Sequence, residues 1–315
     1  MTETGKEPDL ELDVDAMVSS LVSVRSQVSE DALTAPVLGT ERMGNGVVIG
    51  DRGLVLTIGY LVTEAQTLWI TDRRGAAVPG HVLGYDQESG FGLVQALQPL
   101  PAPAMELGVS AECDVGDPVI VAGHGGADAL VTGRIIAKRE FAGYWEYVLD
   151  EALFTAPAHP NWGGAALVGS DGRLLGVGSL LVQTVSSSGE QAGANMIVPI
   201  DLLKPILEDM KMYGRPNRPA RPWLGFLVQD IGDHLVVASV YDGCPADRAG
   251  IEVGDLVVEV AGEPIDGLAE LFRKVWGIGP AGSEIPLTIV RDGEHHPVVL
   301  ESIDRDARLK YGAVH

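Results

Sequence analysis

The chain has few of the residues that mark several common classes of protein. It contains two cysteines among 315 residues, Cys113 and Cys244, so a disulfide framework is not implied. Lysine and arginine number 22 against 44 aspartates and glutamates, and the formal charge is −22. Nucleic acids and anionic membrane surfaces both bind through basic residues, so neither is expected as a partner.

Long apolar runs and a leader sequence are also missing. No stretch of about 18 or more apolar residues occurs, so membrane insertion is not predicted. Residues 1–9 lack the basic segment and continuous apolar segment of a secretory signal, which predicts a cytoplasmic protein. Residues 1–12 are acidic and are expected to be disordered.

Aliphatic residues and glycine dominate what is present. The chain is 46% hydrophobic and has 40 glycines, while only 5% of its residues are aromatic. From Gly44 to about Leu207, short apolar runs are separated by Gly, Pro and Asp, a pattern typical of short strands and tight turns. Residues 214–222 combine four glycine or proline breakers with three arginines, which predicts a linker.

The start of the first domain has two readings. Residues 13–28 place Val14, Met17, Leu21 and Val24 at helical spacing. The run from Leu21 to Val24 can equally begin a strand.

Four segments carry motifs in a fixed order along the chain. They are GNGVVI with DRGLVLTIGYLV (44–62), DQESGFGLV (86–94), VGDPVIVAG (115–123) and PNWGGAAL (160–167). These segments resemble the HtrA/DegP family, whose members join a chymotrypsin-like serine protease domain to a C-terminal PDZ domain. The resemblance implies two six-stranded β-barrels. It also implies that the segment from Pro199 to Leu207 opens a helix, with Asp201 as its cap.

When the chain is matched to the family in this way, none of the three positions of the protease triad holds a catalytic side chain. Tyr60 falls on the family's histidine, Gly90 on its aspartate and Gly163 on its serine, with Trp162 on the serine in an alternative register. Acyl transfer needs a hydroxyl nucleophile, an imidazole base and a carboxylate to orient the base. Glycine supplies none of these groups, and tyrosine is a poor base at neutral pH. A pseudoprotease is therefore predicted. Trp162 either fills the vacated pocket or offers an aromatic anchor to a partner.

Other side chains are weaker candidates for chemistry. A relocated centre could draw on His81, His124 and His159, on Ser89, Ser170 and Ser179, and on Asp86, Asp150 and Asp171. His159 lies closest in sequence to Gly163, but a single loop histidine is more often structural, and Ser170 is expected in a turn. No spacing indicates a metal site, since His295 and His296 stand alone, and no phosphate-binding loop is present. No cofactor or metal is expected.

The C-terminal part resembles a bacterial PDZ domain. The matching segments are WLGF (223–226), DGCPADRAGI (242–251) and GDLVVEVAGEPI (254–265), followed by a helix at 268–275. The resemblance implies that the amides around Leu224, Gly225 and Phe226 bind a peptide carboxylate, beside Trp223. Leu224, Phe226 and Leu268 or Leu271 would line the pocket for an apolar last side chain. Gly225→Val is expected to abolish binding and leave the fold largely intact.

These observations predict a mainly β protein with a chymotrypsin-like double barrel at 13–212, a linker at 213–222, a PDZ domain at 223–304 and a tail at 305–315. The expected function is non-catalytic binding of free apolar C-termini of peptides or proteins, as a scaffold or adaptor. The alternatives are an active serine endopeptidase in protein quality control and a chaperone-like holdase. The family resemblance implies a homo-oligomer, but the aromatic residues of the family's trimer-forming N-terminal segment have no counterpart before Tyr60.

Overall fold

The computed structural model describes residues 13–185 and 191–310, and it divides into two compact units. Of the described residues, the first unit contains 13–139, 151–185, 191–217 and 310. The second contains Glu140–Asp150 and Arg218–Leu309. A short internal segment is thus grouped with the C-terminal part of the chain.

Two closed antiparallel barrels of six strands each build the first unit, as the resemblance implies. The first barrel has the strand order β1-β2-β3-β6-β5-β4. Its strands are β1 Leu21–Val28, β2 Glu41–Gly50, β3 Leu54–Ile58, β4 Ala65–Thr71, β5 Ala77–Tyr85 and β6 Phe91–Ala96. All five residues of β3 are buried, and because successive side chains point to opposite faces of a strand, both faces of β3 are covered.

The second barrel has the order β10-β11-β12-β9-β8-β7. Its strands are β7 Pro118–Ala122, β8 Leu130–Gly143, β9 Tyr147–Ala156, β10 Ala166–Val168, β11 Leu174–Val185 and β12 Gln191–Pro199. A turn joins β10 to β11, and Ser170 is exposed in it as predicted. Three short helices flank the barrels: α1 Val14–Ser19, α2 Ala35–Leu38 and α3 Leu207–Tyr213.

Two local details resolve or correct the sequence predictions. Both readings of residues 13–28 hold in part, because α1 is capped by the Asp13 carboxylate and ends before β1 begins. The prediction that Asp201 caps a helix is wrong. Its carboxylate instead accepts hydrogen bonds from the Ser110 hydroxyl at 2.9 Å and the Ala111 amide at 2.8 Å. The chain there forms only a single 3₁₀ turn, Ile200–Leu202, before α3.

The second unit is a six-stranded antiparallel sheet with two helices. Its strands follow the order β13-β14-β15-β17-β18, with β16 paired to β15. The bounds are β13 Phe226–Ile231, β14 His234–Val240, α4 Pro245–Arg248, β15 Leu256–Val260, β16 Glu263–Pro264, α5 Leu268–Ile278, β17 Glu284–Arg291 and β18 Glu294–Glu301. The 11-residue α5 buries Leu271, Phe272 and Val275 on one face. In the part of the chain described, no helix is long and apolar enough to cross a bilayer.

Candidate functional site

A cavity of about 400 Å³ in the first unit contains two of the three triad positions, Tyr60 and Gly163, together with Trp162. Its wall includes residues of β1 and β2, the 3₁₀ turn Gly59–Leu61 and the loop at 160–163. The lining residues are Ser23, Met43, Gly44, Asn45, Tyr60, Leu61, His124, Pro160, Asn161, Trp162 and Gly163. Tyr60, Gly163 and Trp162 therefore meet at one site.

Tyr60 is held in this cavity by its hydroxyl group. The Oη atom donates a hydrogen bond of 2.8 Å to the carbonyl oxygen of Ser179. Burial raises the pKa of Tyr60 above its usual value, and a hydrogen bond with the Trp162 side chain acts in the opposite direction. The phenol is therefore protonated at neutral pH and already engaged as a donor, so it cannot replace an imidazole base.

Gly163 faces the same hydroxyl group. A β-carbon at this position would lie 2.7 Å from the Tyr60 Oη atom, so the Tyr60 side chain would have to shift to admit it. The next residue, Gly164, is more severely constrained, because its φ is +75° and its β-carbon would lie 1.9 Å from the backbone carbonyl oxygen of Asn45. Tyr60 thus occupies the space in which a side chain of residue 163 would begin.

Asn45 fixes the loop that carries Gly163, and the sequence analysis did not single it out. Its backbone amide donates to the Gly163 carbonyl at 2.8 Å, and its Nδ2 atom donates to the Asn161 carbonyl at 2.8 Å. Its Oδ1 atom accepts from the His124 amide at 2.8 Å. The available signal was a polar residue between two glycines in a buried strand, where a side chain needs polar partners.

Gly90 closes a turn beside the residue that precedes Tyr60. It has a φ of +82°, its amide donates to the Asp86 carbonyl at 2.8 Å, and its carbonyl accepts from the Gly59 amide at 2.7 Å. An aspartate here would have to adopt the left-handed conformation, which is uncommon for residues other than glycine.

The other candidate residues have structural partners. His159 is buried, its Nδ1 atom accepts from the Asn161 amide at 3.0 Å, and its Nε2 atom therefore donates to the Ala129 carbonyl at 3.0 Å. The His124 Nε2 atom lies 3.0 Å from the Asp72 carbonyl oxygen. Asp86 accepts from the Ser89 amide at 2.9 Å within its own turn. Among the residues that the structure describes, no group of three or more metal-binding side chains is assembled.

The second candidate site is the loop before β13. Trp223, Leu224, Gly225 and Phe226 are all buried. Gly225 has a φ of +79°, and a β-carbon there would lie 2.4 Å from the Cys244 Cβ atom. The expectation that Gly225→Val leaves the fold intact is therefore wrong, because the substitution would both strain the backbone and clash.

The residues expected to line the apolar pocket belong largely to the core of the second unit. Leu224, Phe226 and Leu271 are buried in one apolar cluster with Phe272, and Leu268 packs against it. Their side chains thus support the fold in addition to any contact with a ligand.

Glu146 is the functional residue that the sequence analysis missed. Its Oε1 atom accepts hydrogen bonds from the Leu224 amide at 3.2 Å and the Gly225 amide at 3.3 Å. Burial raises the pKa of Glu146 to about 8, although both hydrogen bonds and the charge of Arg305 act in the opposite direction. The amides predicted to receive a peptide carboxylate are therefore bonded to a carboxyl group of the same chain.

A compositional signal marks the segment that carries Glu146. Residues 141–147 (FAGYWEY) contain four of the chain's 17 aromatic residues, in a sequence that is only 5% aromatic overall. Such a cluster at the tip of a hairpin indicates burial against other apolar surface.

Comparison with known proteins identifies both units. Residues 44–177 match the trypsin-like peptidase domain family, and residues 236–291 match the PDZ domain family. The periplasmic serine endoprotease DegP of Escherichia coli K12 is 27% identical over 278 residues, which cover 82% of this chain and 56% of DegP. A probable periplasmic DegP-like serine endoprotease of Hahella chejuensis is 27% identical over 273 residues, with the same coverage. The chain thus spans about half the length of these relatives.

Solved structures show the same fold. The HtrA-type protease AlgW with a decapeptide has a TM-score of 0.55 and 22% identity, covering 93% of this chain and 99% of that one. The serine endoprotease from Yersinia pestis has a TM-score of 0.53 and 22% identity, covering 93% and 98%.

The fold and these matches define a protein in which a trypsin-like peptidase domain is followed by a PDZ domain. Over most of its length the chain is similar to HtrA-type and DegP-like proteins. The predicted cytoplasmic location is wrong, because the DegP and DegP-like relatives are periplasmic. That prediction used the absence of a secretory signal and of a long apolar stretch, and neither absence establishes a compartment.

Proposed function

We propose that this chain is a non-catalytic HtrA-like protein that binds peptide or protein C-termini through its PDZ domain and acts as a scaffold or adaptor. The observation that carries the non-catalytic part is the Tyr60 hydroxyl, 2.7 Å from the point where a side chain of residue 163 would begin. Loss of a complete triad lowers the rate about a millionfold in well-studied proteases. Because the relatives are periplasmic, we propose that this function is exercised outside the cytoplasm.

The binding part is supported by the edge strand of the second unit. In the sheet order, β13 is an end strand, and a peptide can add to such an edge as a further strand. The amides of Leu224 and Gly225, at its start, are the donors that a terminal carboxylate would use. The related AlgW structures contain a decapeptide or a tripeptide, which supports peptide as the ligand class.

Binding to the full chain can be measured by fluorescence anisotropy with a labelled peptide that ends in valine. We expect affinity in the micromolar range, roughly −8 kcal/mol. The same peptide with an amidated C-terminus should bind more weakly by about 1.5–3 kcal/mol, because a charged acceptor is lost. Equal affinities would contradict the proposal that the groove reads a free carboxylate.

One observation favours the alternative, an active serine endopeptidase. Ser23 and His124 line the same cavity as Tyr60, so a hydroxyl group and an imidazole are both present in its wall. Incubation with unfolded casein separates the alternatives. We expect no cleavage above background, whereas cleavage that disappears in both Ser23→Ala and His124→Ala would establish a relocated centre.

A further inference from the structure

The loop of the second unit that is proposed to bind a peptide carboxylate already bonds to a side chain of the same protein. Glu146 is only 6% exposed, and one oxygen atom, Oε1, accepts from both the Leu224 and Gly225 amides. A C-terminal carboxylate that reached this loop would need the same two donors. A glutamate side chain and a peptide terminus therefore compete for them.

A backbone hydrogen bond also joins the turn that carries Glu146 to β13. The Val228 amide on β13 donates to the Tyr144 carbonyl at 3.2 Å. Tyr144 thus lies beside Val228, and Glu146 lies beside Leu224 and Gly225, so the segment runs antiparallel to β13. This is the edge along which an extended peptide would add.

Apolar and ionic contacts hold the same segment. Val148 is buried in the apolar cluster that contains Leu224 and Phe226, and Ala142 packs against that cluster. The Arg273 guanidinium, on α5, bonds to the carboxylates of both Glu140 and Asp150, the two ends of the segment that belongs to this unit.

Ring contacts and an uncommon backbone conformation define the tip of this segment. Trp145 stacks on Tyr147 with ring centroids 5.5 Å apart, and Tyr144 meets Trp145 edge-on at 4.9 Å. Glu146 itself has a φ of +59°, in the left-handed region. A residue other than glycine keeps such a conformation only where its surroundings over-determine it.

From these contacts we infer that the segment Glu140–Asp150 is a built-in ligand of the PDZ groove, and that an external C-terminus binds only when this segment leaves. The inference rests on the proposed function in that the closed site is the proposed peptide site. It goes further by naming the occupant and the atom that must be displaced. The apparent affinity for peptide is then the intrinsic affinity reduced by the fraction of molecules with an open groove.

The test uses the full chain in four forms: wild type, Glu146→Ala, Glu146→Lys and the control Glu112→Ala. Glu146→Ala removes the acceptor, and Glu146→Lys replaces it with a cation that the amide donors repel. Glu112→Ala removes the same kind of side chain from an exposed position in the first unit. Two readouts are taken: the affinity for the valine-terminated peptide, and hydrogen exchange at Leu224, Gly225 and Val228 without peptide.

We expect both Glu146 variants to bind the peptide at least about tenfold more tightly than wild type, since two hydrogen bonds of the competitor are lost. Exchange at the three amides should rise in both variants, and Glu112→Ala should match wild type in both readouts. If neither variant changes affinity or exchange, the built-in ligand is overturned while the peptide-binding proposal stands. If exchange rises but no form binds the free-carboxylate peptide, the built-in ligand is upheld and the proposed function fails.

Discussion

Tyr60 and Gly163 are coupled through one oxygen atom. The Tyr60 Oη atom lies 2.7 Å from the β-carbon position of Gly163, whereas the next atoms of the ring, Cζ and Cε2, lie at 3.7 and 3.8 Å. The latter are ordinary van der Waals distances. The hydroxyl group is therefore the atom that would have to shift to admit a side chain at residue 163.

This coupling predicts the outcome of a double-mutant cycle. Gly163→Ala should lower the free energy of unfolding by about 1–3 kcal/mol, the usual cost of overpacking. In a Tyr60→Phe background, the same substitution should cost much less, because the obstructing atom is gone. Urea denaturation of the four proteins measures the coupling. Additive costs would show that the hydroxyl group does not fill this space.

Glu146 predicts a pH dependence of peptide binding. The docked carboxyl has a pKa of about 8, raised by burial, while a released carboxyl has its ordinary pKa near 4.5. The docked form thus holds its proton more tightly, so docking is fully favoured below about pH 4.5 and is weakened as pH rises through about 8. The neighbouring charged and titratable groups are Arg305 and Tyr241, and burial raises the pKa of Tyr241 above its ordinary value of 10.

Peptide affinity of the wild type should therefore increase between pH 6 and pH 9, where a peptide terminus stays ionised. Glu146→Gln is the matched control, because its amide accepts a hydrogen bond but does not titrate. Its affinity should be flat over the same range. Equal slopes in the two proteins, measured at constant ionic strength, would assign the pH dependence to another group.

At the scale of elements, α5 holds the built-in ligand through Arg273. The two carboxylates that it binds, Glu140 and Asp150, are 45% and 92% exposed, so each ion pair contributes at most about 1 kcal/mol. Arg273→Ala removes both pairs, so it should raise the apparent peptide affinity by no more than about thirtyfold.

Lys274→Ala provides the control on the same helix. Lys274 pairs with Glu263 and Glu270, which lie outside the segment 140–150. Its removal should leave peptide affinity unchanged. An equal effect of both substitutions in the anisotropy titration would show that the ends of the segment are not held by Arg273.

The elements that sequence could predict are those whose signals are local. Ordered motifs with glycines at fixed offsets predicted both barrels and the PDZ sheet, and the turn at Ser170 followed from its composition. Asp201 was misassigned because its partners, Ser110 and Ala111, lie about 90 residues away. A capping residue and a long-range hydrogen-bond acceptor look alike in sequence.

The same limit applies to the candidate sites. The resemblance pointed to Tyr60, Gly163 and the loop at Leu224. Tyr60 and Gly163 line one cavity, and the loop at Leu224 precedes β13. It could not reveal that Tyr60 fills the position of another side chain. Nor could it reveal Glu146, whose hydrogen-bond partners lie 78 and 79 residues further along the chain. Glu146 belongs to a segment within the range predicted for the barrels, whereas the structure groups that segment with the second unit.

For the whole molecule, the structure supports an account in which the protein's own side chains occupy two places that another group would otherwise take. Tyr60 fills the space at residue 163 in the first unit, and Glu146 bonds to the carboxyl-binding amides in the second. The relatives are about twice as long as the matched region, so their activities are carried to this chain only as proposals.

Labelling with an active-site fluorophosphonate probe, read by intact mass, tests the central claim most directly. The probe forms a covalent bond with an activated serine, and a trypsin sample labelled in parallel shows that it is reactive. The account predicts that the mass of the full chain stays unchanged after prolonged incubation at neutral pH. A stoichiometric single adduct, prevented by prior treatment with a serine-directed inhibitor, would contradict it.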